Sequence, residues 1–211
     1  MTVLIVGRTG SGKDYLANKL CETYDLKILK SYTTRPKRTE NEDTHIFINI
    51  LDSIMYERDK VAKTIINGYE YFATKQQVEE CDVYLIDPNG IDVLLENMSD
   101  SEFVIIYASA LDSMRLDKAV SRISTDNVYE IVDVVNKRNL SENAQFALFE
   151  QTVLNNLKMD ISTKLLYTDT LPENYSNVKR VYLYPNSYNE DYCNQWIDLF
   201  YGTEGDNNVM L

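Results

Sequence analysis

Residues 7–14 read Gly-Arg-Thr-Gly-Ser-Gly-Lys-Asp and follow the apolar run Val3-Leu4-Ile5-Val6. A glycine, four variable residues, Gly-Lys and then a hydroxyl residue is a spacing that wraps phosphate. Glycines let backbone amides close around the oxygens, the lysine reaches the outer phosphates, and the hydroxyl touches Mg²⁺. Gly7, Gly12 and Lys13 are in place, Gly10 adds another flexible point, and Asp14 stands where the hydroxyl belongs. Three roles are open to Asp14. It repels phosphate and leaves a binding loop without turnover, or it holds Mg²⁺ directly or through water, or it favours the first turn of the helix that follows. Arg8 either approaches phosphate or points to solvent. The whole stretch (Gly7, Arg8, Thr9, Gly10, Ser11, Gly12, Lys13 and Asp14) is the candidate donor-nucleotide site.

A second group with phosphate chemistry lies at residues 31–38, Ser-Tyr-Thr-Thr-Arg-Pro-Lys-Arg. Arg35 and Arg38 are three apart in a loop after a strand-like run, and each guanidinium is a planar fork suited to two phosphate oxygens. A solvated basic loop is the alternative. Asp87 closes the apolar run before Pro88-Asn89-Gly90. That position suits a carboxylate holding Mg²⁺ through water, or a cap for the turn.

These groups need a scaffold that brings loops together at one sheet edge. The pattern predicts a strand at 2–6, a helix at 13–24 with Tyr15, Leu16, Leu20 and Tyr24 near helical spacing, and a strand at 26–31. Residues 45–50 read as extended and 51–60 as a short helix, then 61–66 and 69–74 form a hairpin around Asn67-Gly68. A helix at 75–80, a strand at 82–87, a helix at 91–97 and a strand at 102–107 follow. Residues 111–158 read as helical with a break near 124–127, then come strands at 163–167 and 178–184, a helix at 189–201 and a frayed tail at 202–211. Alternating strands and helices predict an α/β fold, a P-loop NTPase-type parallel sheet with helices on both faces. The hairpin marks a small antiparallel insert between the second and third core strands.

Bulk composition limits the partners. The chain has 211 residues, 44% of them hydrophobic, and a net charge of −12. That charge argues against binding a nucleic acid polymer, which needs a basic face. The local basic group Lys30, Arg35, Lys37 and Arg38 suits a small anion better. No apolar run is long enough to span a membrane, and no signal peptide is expected at the start. Cys21, Cys81 and Cys193 are far apart, without metal-ligand spacing, which fits a reducing cytoplasm.

The acceptor segment Ser31-x-Thr33-Thr34-Arg35-x-x-Arg38 resembles the monophosphate-binding segment of guanylate kinases. The hairpin Asn67-Gly68-Tyr69-Glu70-Tyr71-Phe72-Ala73-Thr74 is similar to that family's G-N-x-Y-G-T, and Ile86-Asp87-Pro88-Asn89-Gly90 to its I-D-x-Q-G. Lys118, Arg122 and Asn136-Lys137-Arg138 are similar to its basic lid, with helix-surface ion pairing as the alternative. The blocks keep the family's order over roughly residues 2–140, and no specific match follows. The resemblance implies a single domain over 1–211, with a core of 1–30, 81–120 and 160–201, a monophosphate-binding insert at about 31–80 and a helical lid at about 115–145. It implies ATP and Mg²⁺ as cofactors and a nucleoside monophosphate as substrate, in a monomer or homodimer. Arg35, Arg38 and Tyr71 would hold the acceptor phosphate, and Ser31 would approach the base. His45 would touch the phosphate where the family has a tyrosine, or lie on the surface. Lys13, Arg35, Arg122 and Arg138 would act on the transferring group, and Asp14 and Asp87 on the metal. Ala62 and Ala73 replace the family's guanine-reading acid and serine, so the base stays open, with GMP or dGMP first. Gly-Lys-Asp also occurs in phage-type deoxynucleoside monophosphate kinases, which favours turnover. A catalytically inactive binding module of the same fold, for an acidic or phosphorylated partner, is the alternative.

Overall fold

A computed structural model describes residues 1–121 and 127–205. Its centre is a six-stranded sheet in the order β6-β1-β7-β10-β9-β8. The strands are β1 (Thr2–Val6), β6 (Val83–Leu85), β7 (Phe103–Ser109), β10 (Val178–Pro185), β9 (Leu166–Thr168) and β8 (Lys158–Met159). The first four run parallel, while β9 and β8 return antiparallel. Both faces of the parallel part are covered, which is why β1 and β7 are apolar runs instead of alternating ones.

Alternate residues of these strands feed two apolar layers. Val3, Ile5, Val104 and Ile106 pack with Leu16, Ala17 and Leu20 of α1 (Lys13–Tyr24) and with Cys193, Trp196, Ile197 and Phe200 of α7 (Glu190–Gly205). Leu4, Val6, Phe103, Ile105 and Tyr107 pack with α4 (Pro88–Asn97) and with Phe146, Phe149 and Val153 of α6 (Val128–Leu154). The helix α5 (Asp112–Val120) leads from β7 toward α6.

Residues between α1 and β6 build a separate four-stranded sheet, β3-β2-β5-β4. It consists of β2 (Tyr32–Thr33), β3 (Ile46–Phe47), β4 (Lys60–Ile66) and β5 (Tyr69–Thr74), with α2 (Ile50–Met55) inserted and α3 (Lys75–Glu79) following. The β4–β5 turn forms as expected, with Asn67 and Gly68 both at positive φ (52° and 80°), a pairing that matches the twist of the strands. Val61, Ala62 and Ala73 join the same apolar cluster as α4, so this sheet is packed onto the core.

The structure corrects several boundaries. The expected strand at 26–31 contributes one bridge, Ile28 to Val83, before the chain leaves for the small sheet. That sheet is not wholly antiparallel, because β2 and β3 run parallel. The strand expected at 163–167 starts later, as β9 from Leu166, because a turn at 161–163 precedes it. Asp160 Oδ1 accepts from the amides of Ser162 (2.9 Å) and Thr163 (2.8 Å), and Lys164 takes a φ of 61°. This turn joins β8 to β9, and β8 carried no sequence signal. Helix α7 runs into the expected tail, and residues 206–211 lie outside the described residues. The break expected near 124–127 also falls outside them except at Asn127, which caps α6 by accepting from Tyr129 N. Among the described residues no helix is long and apolar enough to cross a membrane.

Central burial should dominate stability. Ile105 is fully buried in β7, whereas Ile65 on β4 is 64% exposed. Ile105→Ala is expected to cost about 2–5 kcal/mol, and Ile65→Ala to stay within about 0.5 kcal/mol. Denaturant midpoints of the two variants check this.

Candidate active site

β1 lies between β6 and β7, so the chain passes from β6 on one side of it to β7 on the other. Loops at the carboxyl ends of strands meet at such a point. The loop at 7–12 leaves β1 there and enters α1 through Gly12, whose φ of 84° places it in the left-handed region. No side chain caps the start of α1. The first amides of a helix lack intrahelical partners and carry the positive end of its dipole, so this end suits an anion. Glycine is required at two positions for space as well as conformation. A Cβ on Gly10 would lie 2.4 Å from Arg115 O, and one on Gly12 would lie 2.1 Å from Asn186 Nδ2. Lys13 Nζ lies 3.5 Å from Asp14 Oδ2, and Asp14 sits in the first turn of α1.

The loop is gripped from outside. Thr9 O accepts from Arg115 Nη1 (2.9 Å), Gly10 O accepts from the Tyr188 hydroxyl, and Ser11 O accepts from Asn186 Nδ2 (2.8 Å). Glu142 of α6 accepts from the Thr9 amide at 2.7 Å and pairs with Arg115 at 3.4 Å. Arg8 does not point to solvent. Its Nε and Nη2 bind Glu150 of α6 at 2.6 and 2.7 Å, its Nη1 donates to Asn143 at 2.7 Å, and it covers the Phe146 ring. Glu150 accounts for most of the upward pull on the Arg8 pKa. A cavity of about 220 Å³ lies behind, lined by Arg8, Tyr107, Ser109, Arg115, Asn143 and Glu150 among others. Both arginines are already matched by carboxylates, so the cavity is not an anion pocket.

The second site gathers on the small sheet. Thr33 Oγ1 accepts from Arg35 N at 3.1 Å, which fixes the chain where it leaves β2. Arg35 donates through Nε to the Tyr71 hydroxyl (3.0 Å) and through its two terminal nitrogens to Glu42 (2.7 and 3.3 Å). Glu42 also accepts from the Arg38 amide at 2.6 Å. His45 is not a surface residue. Its Nδ1 lies 3.0 Å from Ser31 Oγ, and its ring meets the Tyr71 ring edge-on. Burial, followed by the charge of Arg35, lowers the His45 pKa, with Arg38 adding to the effect. Asp14 acts in the opposite direction on the same imidazole.

Ser31, Arg35, His45 and Tyr71 are therefore gathered together, with the Arg38 amide joined to them through Glu42. Asp87 is the N-cap of α4, accepting from Gly90 N at 3.0 Å, as the capping role requires. Burial raises its pKa, opposed by the Gly90 amide and the Thr64 hydroxyl beside it. Among the described residues no cluster of three or more His, Cys, Asp or Glu is placed to hold a metal. Mg²⁺ commonly takes only one or two carboxylates beside phosphate oxygens and water, so Asp14 and Asp87 still fit that donor set. Lys118 lies over the Tyr188 ring at 5.5 Å. Arg122 lies outside the described residues, and so does the side chain of Arg138 on α6.

Sequence reasoning missed Glu42, Arg115, Glu142, Glu150, Asn186 and Tyr188. Arg115 has the (i, i+3) spacing to Asp112 of an ordinary helix-surface ion pair, yet it is 5% exposed. Asn186 carried a usable signal, because it follows Tyr184-Pro185 at the carboxyl end of a core strand, where ligand-facing loops converge.

No protein-family profile matches the chain, and no curated protein sequence does. Among solved structures, the chain is similar to a guanylate kinase from Anaplasma phagocytophilum, with a TM-score of 0.42 and 17% identity over 68% of this chain and 86% of that one. It is also similar to an uncharacterized protein from Eubacterium ventriosum, with a TM-score of 0.43 and 10% identity over 96% of this chain and 98% of that one. Likenesses this low leave the geometry of the site to carry any functional reading.

The Arg35–Glu42 pair gives the second site a pH signature. The Arg35 guanidinium, helped by the Arg38 amide, holds the Glu42 carboxyl down from 4.5 to about 2. A carboxyl depressed on folding stabilises the fold above its unfolded pKa and loses that contribution as pH falls toward the folded value. The contribution is full above about pH 4.5 and gone below about pH 2. Glu42→Gln should lower the urea midpoint at neutral pH and flatten the acid limb across this window. Equal acid slopes for variant and wild type would exclude Glu42 as the source.

Proposed function

We propose that the chain is a P-loop phosphotransferase that moves the γ-phosphoryl group of ATP onto a nucleoside or deoxynucleoside 5′-monophosphate, GMP or dGMP being the first acceptor to test. The observation that supports this reading is the pairing of a glycine loop entering the uncapped helix α1 with a second cluster, Arg35, His45 and Tyr71, on the small sheet. Two anion-binding sites that face each other are what transfer between phosphates requires. ATP with Mg²⁺ supplies the phosphoryl group and neutralises part of its charge. The amides of Gly10, Gly12 and Lys13 and the dipole of α1 hold the donor phosphates, with the Lys13 side chain at their outer end. Arg35 exchanges the Glu42 carboxylate for the acceptor phosphate, a fork-to-fork substitution that keeps its charge paired. Arg38, His45 and Tyr71 complete that grip, and Ser31 lies on the side toward the base. Asp14 and Asp87 orient metal-bound water. An already ionised acceptor phosphate needs no protein general base.

By the resemblance to guanylate kinases, Arg122 and Arg138 would act on the transferring group and help exclude water. At the positions expected to read guanine, Ala62 and Ala73 are 1% and 0% exposed and belong to the apolar core. Neither can accept from the base, so discrimination among bases should be weak.

A binding module without turnover draws on one specific observation, the Asp14 carboxylate 3.5 Å from Lys13 Nζ, which partly neutralises the lysine meant for phosphate. A coupled ATPase assay with Mg²⁺ across GMP, dGMP, AMP, dAMP, CMP and TMP separates the two. Turnover is expected with at least one acceptor. Lys13→Met should lower kcat by about 100-fold or more, and Arg35→Met should raise the acceptor KM. A folded protein that binds ATP by calorimetry yet turns over none of the six would establish the binding module instead.

A further inference from the structure

A peptide unit is planar and trans, so the carbonyl of one residue and the amide N–H of the next point in opposite directions. A loop that presents amides to an anion must therefore keep its carbonyls on the far side. Three consecutive carbonyls here are held by three donors from outside the loop. Thr9 O is held by Arg115 at 2.9 Å, Gly10 O by the Tyr188 hydroxyl, and Ser11 O by Asn186 at 2.8 Å. Anchoring them aims the next amides, those of Gly10, Ser11 and Gly12, the opposite way. The Ser11 amide is used within the loop, donating to Arg8 O at 3.0 Å, so Gly10 and Gly12 are the two that this clamp aims outward.

The donors are themselves fixed. Arg115 and Asn186 are 5% and 7% exposed. Asn186 N donates to Ser109 O at 2.7 Å, tying the segment after β10 to the end of β7. Asn186 Oδ1 accepts from Tyr188 N at 2.8 Å and from the Tyr184 hydroxyl at 3.3 Å, which leaves its NH₂ group directed at the loop. The close approach of Asn186 to Gly12 leaves no space for a Cβ there.

We propose that Arg115, Asn186 and Tyr188 are positioning residues that hold the glycine loop in its phosphate-receiving conformation. They act through its carbonyls and without direct contact to the nucleotide. The proposal rests on the reading of this loop as the donor-phosphate cradle. Three variants of the full chain test it. Tyr188→Phe keeps the ring and removes only the hydroxyl. Asn186→Ala removes the amide. Asn186→Asp keeps the shape but sets an acceptor against the Ser11 carbonyl.

Ligand-free crystal structures of the variants are expected to show the 10–11 peptide rotated in Tyr188→Phe and the 11–12 peptide rotated in both Asn186 variants. Calorimetry with Mg·ADP should give an affinity about tenfold lower for Asn186→Ala, the scale of one lost hydrogen bond, a larger loss for Asn186→Asp, and a smaller one for Tyr188→Phe, whose peptide carries the Ser11 amide used within the loop. The ATP KM should rise with the acceptor KM unchanged, a split that general destabilisation would not produce. Variants that fold, keep the loop peptides in place and bind Mg·ADP like the wild type overturn the proposal. If the wild type binds no ADP, the donor-site reading fails instead, and the clamp is still decided by the ligand-free loop, where unrotated peptides overturn it.

Discussion

Carbonyl placement in a six-residue turn is the constraint on which the rest of this architecture depends. The glycine loop cannot direct amides outward unless its carbonyls find donors elsewhere, and neither β1 nor α1 supplies them. They come from α5 and from the segment after β10. Those two elements reach the loop only because β7 lies beside β1 and β10 beside β7 in parallel register. The parallel sheet thus brings three strand ends to one place, and the two apolar layers hold that arrangement rigid.

Internal carboxylates stand in for anions throughout the site. Glu42 occupies the fork of Arg35, Glu150 that of Arg8, and Glu142 the amide of Thr9. A buried or half-buried guanidinium without a counter-charge is costly, and each of these arginines is matched by a carboxylate.

The sequence made the large features legible because each had a short-range physical cause. The apolar runs of β1 and β7, the Asn67-Gly68 turn and the Gly-Lys loop are all encoded within about ten residues of themselves. The gathering of Ser31, Arg35, His45 and Tyr71 was legible only through the resemblance to guanylate kinases. What escaped was long-range. Nothing local marks Glu142 as a partner of Thr9, 133 residues away, or Asn186 as a partner of Ser11, 175 residues away. The late start of the strand expected at 163–167 has a local cause instead, because Asp160 Oδ1 accepts from Thr163 N and holds a turn ahead of β9.

The shared cluster of the small sheet and α4 bears on where the molecule can bend. Swinging the small sheet away would expose Val61, Ala62 and Ala73, now 6%, 1% and 0% exposed, along with the α4 side chains they cover. Apolar area returned to water carries a cost at every ångström of opening. The grip of α6 on the loop is made instead of charged groups that water can solvate in turn, at Glu142 and at Arg8. That charged grip sits on a helix which Phe146, Phe149 and Val153 seat in the same apolar cluster, so the small sheet and α6 are held to one core.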